Sequence, residues 1–198
     1  MKIVLASANP AKAKELESIL GSLFEDTLTI LTATDLLGAD WRVEEPGHTL
    51  EENAYLKAVA VAERTLLPTI ADDTGLEVEA LGGLPGVRTA RFAGDGASWQ
   101  ANNALLLERL THASDRRARF RTVLCYRDSL RTIFAEGICT GTIAPEPRGS
   151  GGFGYDPLFI PDGYDRTFAE MKPEEKHALS HRRRALEQLA ERLRTLWS

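Results

Sequence analysis

The sequence has 198 residues, 43% of them hydrophobic, and a formal net charge of −5, enough chain for one sizeable α/β domain with a core of its own, or one domain in two lobes. The acidic balance excludes a general electrostatic attraction to nucleic acid or to an anionic membrane, so an anionic ligand must be met by local cations, backbone amides or a metal. The only cysteines, Cys125 and Cys139, lack metal-ligand spacing and suit a reduced cytoplasmic protein, a disulfide between them being the alternative, and the opening run "MKIVLAS" is too short for a signal peptide or a membrane span.

In chain order, Lys2 to Ala6 reads as a buried strand broken by the turn Ser7-Ala8-Asn9-Pro10. Proline suits a first helical turn, and Leu16, Ile19 and Leu20 give the segment after it an apolar face. A second helix is predicted from about Thr49, where Thr49 and Glu52 have capping-box spacing and Leu50, Ala54, Ala58 and Ala62 recur at helical intervals; Pro68 ends it. Thr69 to Ala71 and Leu76 to Leu81 read as two strands with a turn between them, and Trp99 to Leu110 as a helix. "ARFRTVLCY" and "RTIFAEGICTGTIA" are rich in β-branched and aromatic residues and predict antiparallel strands. After the glycine-rich "RGSGGFGYDP", a last helix is predicted from about Ser180 to Trp197, with Leu186, Leu189, Leu193 and Leu196 facing inward. The fold class is therefore α/β, a mixed sheet flanked by helices.

Four groups of residues have the makings of a site. "SANPAK", Ser7 to Lys12, joins a strand to a helix, where amides and the positive helix end attract an anion and Lys12 adds a charge; the alternative is a simple helix cap. Asp72 and Asp73 follow a strand, where a divalent cation would relieve their repulsion, magnesium best matching oxygen ligands; "DDTG" is equally good Asx-turn chemistry. Either Glu44 or Glu45 would complete such a site or else decorates a loop, and Lys57 is a phosphate contact or a lysine whose stem covers the core. In "GSGGFGYDP" the glycines admit close approach and Phe153 suits stacking on a planar base; His181 and Arg182 sit at a helix start, which the macrodipole disfavours for cations.

In this order, "LASANPAKAKEL", "EEPGHTLEENAYLKA", "ADDTGLEVEALGGLPGVRTARFAG", "GGFGYDPLFIP" and "AEMKPEEKHALSHRRRAL" closely resemble the inosine triphosphate pyrophosphatase family, also called dITP/XTP pyrophosphatases. The resemblance covers nearly the whole chain. It implies an elongated two-lobed α/β fold with a nucleotide cleft between the lobes, a homodimer, and magnesium-dependent hydrolysis of ITP, dITP and XTP to the monophosphate and pyrophosphate. Carried over, it implies that Ser7, Ala8, Asn9, Pro10, Ala11 and Lys12 hold the triphosphate and that Asp73 is the proton acceptor and a metal ligand. Asp72 and Glu44 would assist at the metal, while Lys57 and Thr74 would touch the nucleotide. Phe153, Gly154, Tyr155 and Asp156 would line the base pocket, Lys176 would contact the nucleotide, and His181 with Arg182 would read the base edge.

Donors aimed at the 6-position would accept hypoxanthine or xanthine and reject adenine, whose amino group would leave polar groups unpaired. They do not by themselves exclude guanine. Departures from the family pattern bear on affinity: Ala8 replaces a common glycine and Pro10 follows Asn9, which leaves the phosphate loop less backbone freedom, Pro46 replaces a frequent threonine, and His177 a smaller polar residue. Two other readings remain: a pyrophosphatase for another nucleotide, as in the related septum-formation-inhibitor family, and a non-catalytic nucleotide- or RNA-binding module suggested by the arginines at the start of the last helix. The acidic charge and the paired carboxylates argue against the second.

Overall fold

The computed structural model describes residues 2–24 and 28–197, the last without its side chain. Its strands are β1 (Lys2–Leu5), β2 (Thr29–Thr32), β3 (Thr69–Val78), β4 (Pro85–Gly86), β5 (Arg117–Arg127), β6 (Thr132–Ile143) and β7 (Phe159–Pro161). Its helices are α1 (Pro10–Phe24), α2 (Ala33–Leu37), α3 (Leu50–Thr65), α4 (Trp99–Arg109), α5 (Pro173–Leu179) and α6 (His181–Trp197). No helix among the described residues is long and apolar enough to cross a membrane.

The strands form one seven-stranded sheet in the order β2-β1-β3-β5-β6-β7, with β4 paired to β3. Ile3, Val4 and Leu5 are buried, as suits a strand that runs parallel to both of its neighbours, β2 and β3. β4 is antiparallel to β3 and β7 to β6, so the sheet is mixed. β5 and β6 are adjacent and joined by residues 128–131, a connection too short for anything but the antiparallel arrangement that the sequence predicts.

β3 is a correction to the sequence reading. Thr69–Val78 is one continuous ten-residue strand that runs through Asp72 and Asp73 without a turn, and residues 79–81 form a 3-10 turn. Paired charges would ordinarily be expelled from a buried strand, but here each carboxylate meets a cation (below), so the backbone need not bend to hydrate it. At Gly75 a side chain would bring a Cβ to 2.8 Å from the carbonyl oxygen of Gly86, so glycine is what lets β4 come close.

The chain divides into two compact units, crossing between them within β3, β5 and β6 and again after His181. The first unit packs Leu16, Ile19 and Leu20 of α1 and Leu186, Leu189 and Leu193 of α6 on Ile3, Leu5, Ile70 and Leu124 of the strands. The stripes predicted for both helices are therefore core stripes, except that Leu196, in the final turn of α6, is exposed. The second unit has its own core, in which Leu76, Leu106, Phe120, Phe159 and Phe168 pack together. α3 begins as predicted: the Thr49 hydroxyl accepts from the Glu52 amide and the Glu52 carboxylate accepts from the Thr49 amide.

Candidate active site

In the first unit the chemistry gathers around β3. Adjacent residues on a strand point to opposite sides, and Asp72 and Asp73 accordingly meet different partners. Asp72 Oδ2 lies 3.1 Å from Lys12 Nζ and 3.8 Å from Arg182 Nε. Burial alone would raise its pKa, but the charges of Lys12, Arg182 and Lys57 outweigh burial and hold the carboxyl well below the usual carboxylate range. Arg182 also pairs with Glu15 of α1 at 3.1 Å, and all three side chains are at least 95% buried.

Asp73 faces α3. Its Oδ2 accepts a hydrogen bond from Asn53 Nδ2 at 3.1 Å, and its Oδ1 lies 3.6 Å from Lys57 Nζ. The same ammonium donates to Glu45 Oε2 at 2.8 Å. Burial, reinforced by the charge of Glu45, raises the pKa of Asp73 despite the opposing pull of Lys57, Lys12 and Asn53. Lys57 moves the other way from what burial dictates: desolvation would lower it, but Asp73, Glu45 and Asp72 together raise it, so it stays a cation. Asn53 is fixed from its far side as well, its Oδ1 accepting from the Gly47 amide at 2.8 Å.

The loop between β1 and α1 holds both of its predicted elements. Ser7 is buried, and its hydroxyl accepts from the Asn9 amide at 3.3 Å. Asn9 Oδ1 accepts from the amides of Ala11 and Lys12 at 3.0 and 3.3 Å, so two first-turn amides that the sequence reading offers to an anion are capped by the chain itself. Ala8 and Pro10 complete the turn, and Lys12 reaches back to Asp72.

In the second unit the glycine loop closes on itself. The Phe153 amide donates to Asp156 Oδ2 at 2.7 Å, and Lys176 Nζ of α5 donates to that same oxygen at 2.7 Å. The Lys176 ammonium also stands 4.9 Å from the centre of the Phe153 ring. Gly152 is at φ +70°, and a Cβ there would meet Asp156 Oδ2 at 2.0 Å, so only glycine fits this turn. Tyr155 is buried, donates to the carbonyl of Thr89 at 3.1 Å and packs edge-on against Trp99; burial pushes its hydroxyl pKa up. Thr74, the next residue along β3, is buried. His181 is 2% exposed and stacks on Phe120 with ring centres 4.7 Å apart.

Two pairs of neighbouring candidates divide between different surroundings. Glu44 is exposed, and Glu45 is the acidic residue brought onto Lys57 beside Asp73. Arg182, expected to share the base edge with His181, is paired with Glu15 and Asp72 in the first unit. Consecutive residues at the start of a helix point about 100° apart, and the division between units falls between these two.

No group of three His, Cys, Asp or Glu side chains converges as a ready metal cage among the described residues. Magnesium does not need one: it binds through one or two carboxylates and takes its remaining oxygens from water and phosphate. Asp73 and Glu45, both oxygen donors gathered at a single ammonium, fit that mode, whereas Asp72 is committed to Lys12 and Arg182.

Glu15, Asn53 and Asn103 are polar groups that the sequence reading did not single out. For Asn53 a signal exists: Asn53 and Lys57 are four residues apart on the buried stripe of α3, where an apolar pair would be expected.

The chain matches the model of the Ham1 family over residues 3–192. It is 46% identical over 190 residues to a dITP/XTP pyrophosphatase of Exiguobacterium sp., covering 96% of this chain and 95% of that one. A dITP/XTP pyrophosphatase of Shigella flexneri is 46% identical over 198 residues, with 98% of each chain covered. Among solved structures, the Ham1 protein of Staphylococcus aureus superposes with a TM-score of 0.87 at 39% identity, covering 98% of this chain and 99% of that one.

Proposed function

From the premise that this chain belongs to the Ham1 family, we propose that it hydrolyses deaminated purine nucleoside triphosphates, ITP, dITP and XTP, to the nucleoside monophosphate and pyrophosphate. The observation that carries the reading is Asp73. It is a buried carboxylate with a raised pKa, steadied by Asn53 and set beside a lysine, as a group that accepts a proton from an attacking water should be.

The lysines supply the rest. Lys12 and Lys57 carry positive charge to the triphosphate, where charge builds on the departing pyrophosphate. Each is now paired with a carboxylate, so phosphate binding exchanges one anion for another without stranding a buried charge. Magnesium, held by Asp73 and Glu45, would neutralise charge along the triphosphate. Asp73 takes the water's proton at its carboxylate, and Lys57 stays protonated to face the phosphate. Ser7 to Lys12 lie along the triphosphate, and Thr74 touches the nucleotide.

For the base, Phe153 offers a stacking face, with Gly154, Tyr155 and Asp156 shaping its turn. Lys176 spends one N–H on Asp156 and has others to donate to a 6-oxo group; His181 contributes from the same unit. An adenine amino group would put donor against donor, a mismatch that sites built to hydrogen-bond reject strongly. Arg182 serves this reaction by holding Asp72 ionised. Homodimerisation belongs to the same proposal, and light scattering at about twice the chain mass is its check.

A substrate panel tests the reading. Initial rates with dITP and XTP are expected to exceed those with dATP, dTTP and UTP by at least about 100-fold. A preference for dTTP or UTP would move the protein to a different substrate class. Glu45→Gln is expected to weaken magnesium activation, shifting its midpoint upward by about 10-fold, while Glu44→Gln leaves it in place; the reverse pattern would return the metal to Glu44.

A further inference from the structure

We propose that Asn103 of α4 is a positioning residue that sets the glycine loop for the purine base, a role that rests on the base-binding reading of Phe153 to Asp156. Asn103 is 8% exposed, and its Nδ2 donates to the carbonyl of Gly154 at 3.1 Å. Gly154 sits at φ +69° against the ring of Trp99, on the same helix one turn earlier. The carbonyl that Asn103 holds belongs to the peptide joining Gly154 to Tyr155, between Phe153 and Asp156.

The neighbouring asparagine braces the other side of the same segment. Asn102 Oδ1 accepts from the Ala93 amide at 2.7 Å and its Nδ2 donates to the Ala90 carbonyl at 3.1 Å. That fixes the 3-10 turn Thr89–Arg91, whose first carbonyl accepts the Tyr155 hydroxyl. Tyr155 is thus located by its backbone through Asn103 and by its side chain through the turn that Asn102 holds. Phe153, whose ring faces the Lys176 ammonium at 4.9 Å, immediately precedes Gly154, so the direction of its backbone follows from where that peptide is held.

The amide of Asn103 also has a cost that an apolar residue would avoid. Its Oδ1 is buried and has no hydrogen-bond partner among the described residues. A leucine of similar shape would remove that stranded acceptor, which is unfavourable in an apolar surround. What the leucine would lose is the donor to Gly154, so the donor is the function of the residue. Packing alone does not call for an asparagine here, because Leu106 on the same helix and Leu110 just after it fill the second core without one.

Asn103→Leu and Asn103→Ala test this in the full chain by two readouts. The first is amide hydrogen exchange over residues 148–158 in the absence of nucleotide, with residues 117–127 of β5 as the internal reference. The second is the KM and kcat for dITP. In both variants exchange in the loop is expected to accelerate at least about 10-fold while β5 is unchanged, and KM is expected to rise about 10-fold with kcat within a factor of about two, because a base held less well weakens ground state and transition state alike. Unchanged loop exchange with unchanged KM would overturn the proposal, as would acceleration spread equally over the loop and β5, which is what a merely structural residue would give. If the unaltered protein hydrolyses no dITP, the functional reading fails, and the exchange readout still decides the positioning: local acceleration upholds it and its absence overturns it.

Discussion

Asp73→Asn is expected to lower dITP turnover by about 10²- to 10⁴-fold, the range spanned by removing a general base, while leaving the fold intact. Asparagine keeps the size of the side chain and an oxygen that accepts from Asn53, while it removes the charge and turns the oxygen facing Lys57 into an NH2 donor. Lys57 is not stranded, because Glu45 remains 2.8 Å from its ammonium. The sign of the pKa shift separates the two effects. Burial raises Asp73 above its ordinary value, so its ionised form is less favourable in the folded protein than in the unfolded chain, and at neutral pH that charge detracts from stability. The asparagine variant is therefore expected to melt at the same temperature or higher while losing activity. Activity that survives in a fully folded variant would remove Asp73 from the catalytic role.

Arg182→Met is expected to do the opposite and damage the fold first. Arg182 is 3% exposed and lies 3.1 Å from Glu15 and 3.8 Å from Asp72, both also buried. Methionine fills much of the volume but leaves Glu15 without its cation, and removing one member of a buried ion pair costs roughly 3–5 kcal/mol. For a chain of this size that is a fall in melting temperature of roughly 6–20 °C. Asp72 retains Lys12 at 3.1 Å, so its share of the loss is smaller. The double variant Arg182→Met, Glu15→Leu removes both charges and is expected to recover most of the stability, since a buried pair replaced whole by apolar groups is close to neutral. A single variant as stable as the parent would show that Arg182 is not the charge that Glu15 depends on.

Where the sequence was legible, local chemistry decided the structure. The Thr49–Glu52 capping box, the leucine stripes of α1 and α6 and the antiparallel pair β5 and β6 need only nearest neighbours, and, Leu196 apart, they stand as read. β3 was misread because "DDTG" is good turn chemistry by local rules, and only distant residues, Lys12, Lys57 and Arg182, make a straight strand affordable for two carboxylates. The same limit holds for the acidic loop: nothing local distinguishes Glu44 from Glu45, and the one that pairs with an ammonium does so with Lys57, twelve residues from Glu45. His181 and Arg182 show a further limit, since adjacency does not reveal that these neighbours in sequence join different clusters. Asn103 was invisible for another reason, since an asparagine in a helix is unremarkable until its amide is found on the carbonyl of a glycine 51 positions away.

The most direct test of the account is the product pair formed from dITP with and without magnesium. Release of dIMP and pyrophosphate, present with the metal and lost when it is chelated, is the expected result. Formation of dIDP and orthophosphate, or turnover at an undiminished rate after chelation, would contradict it.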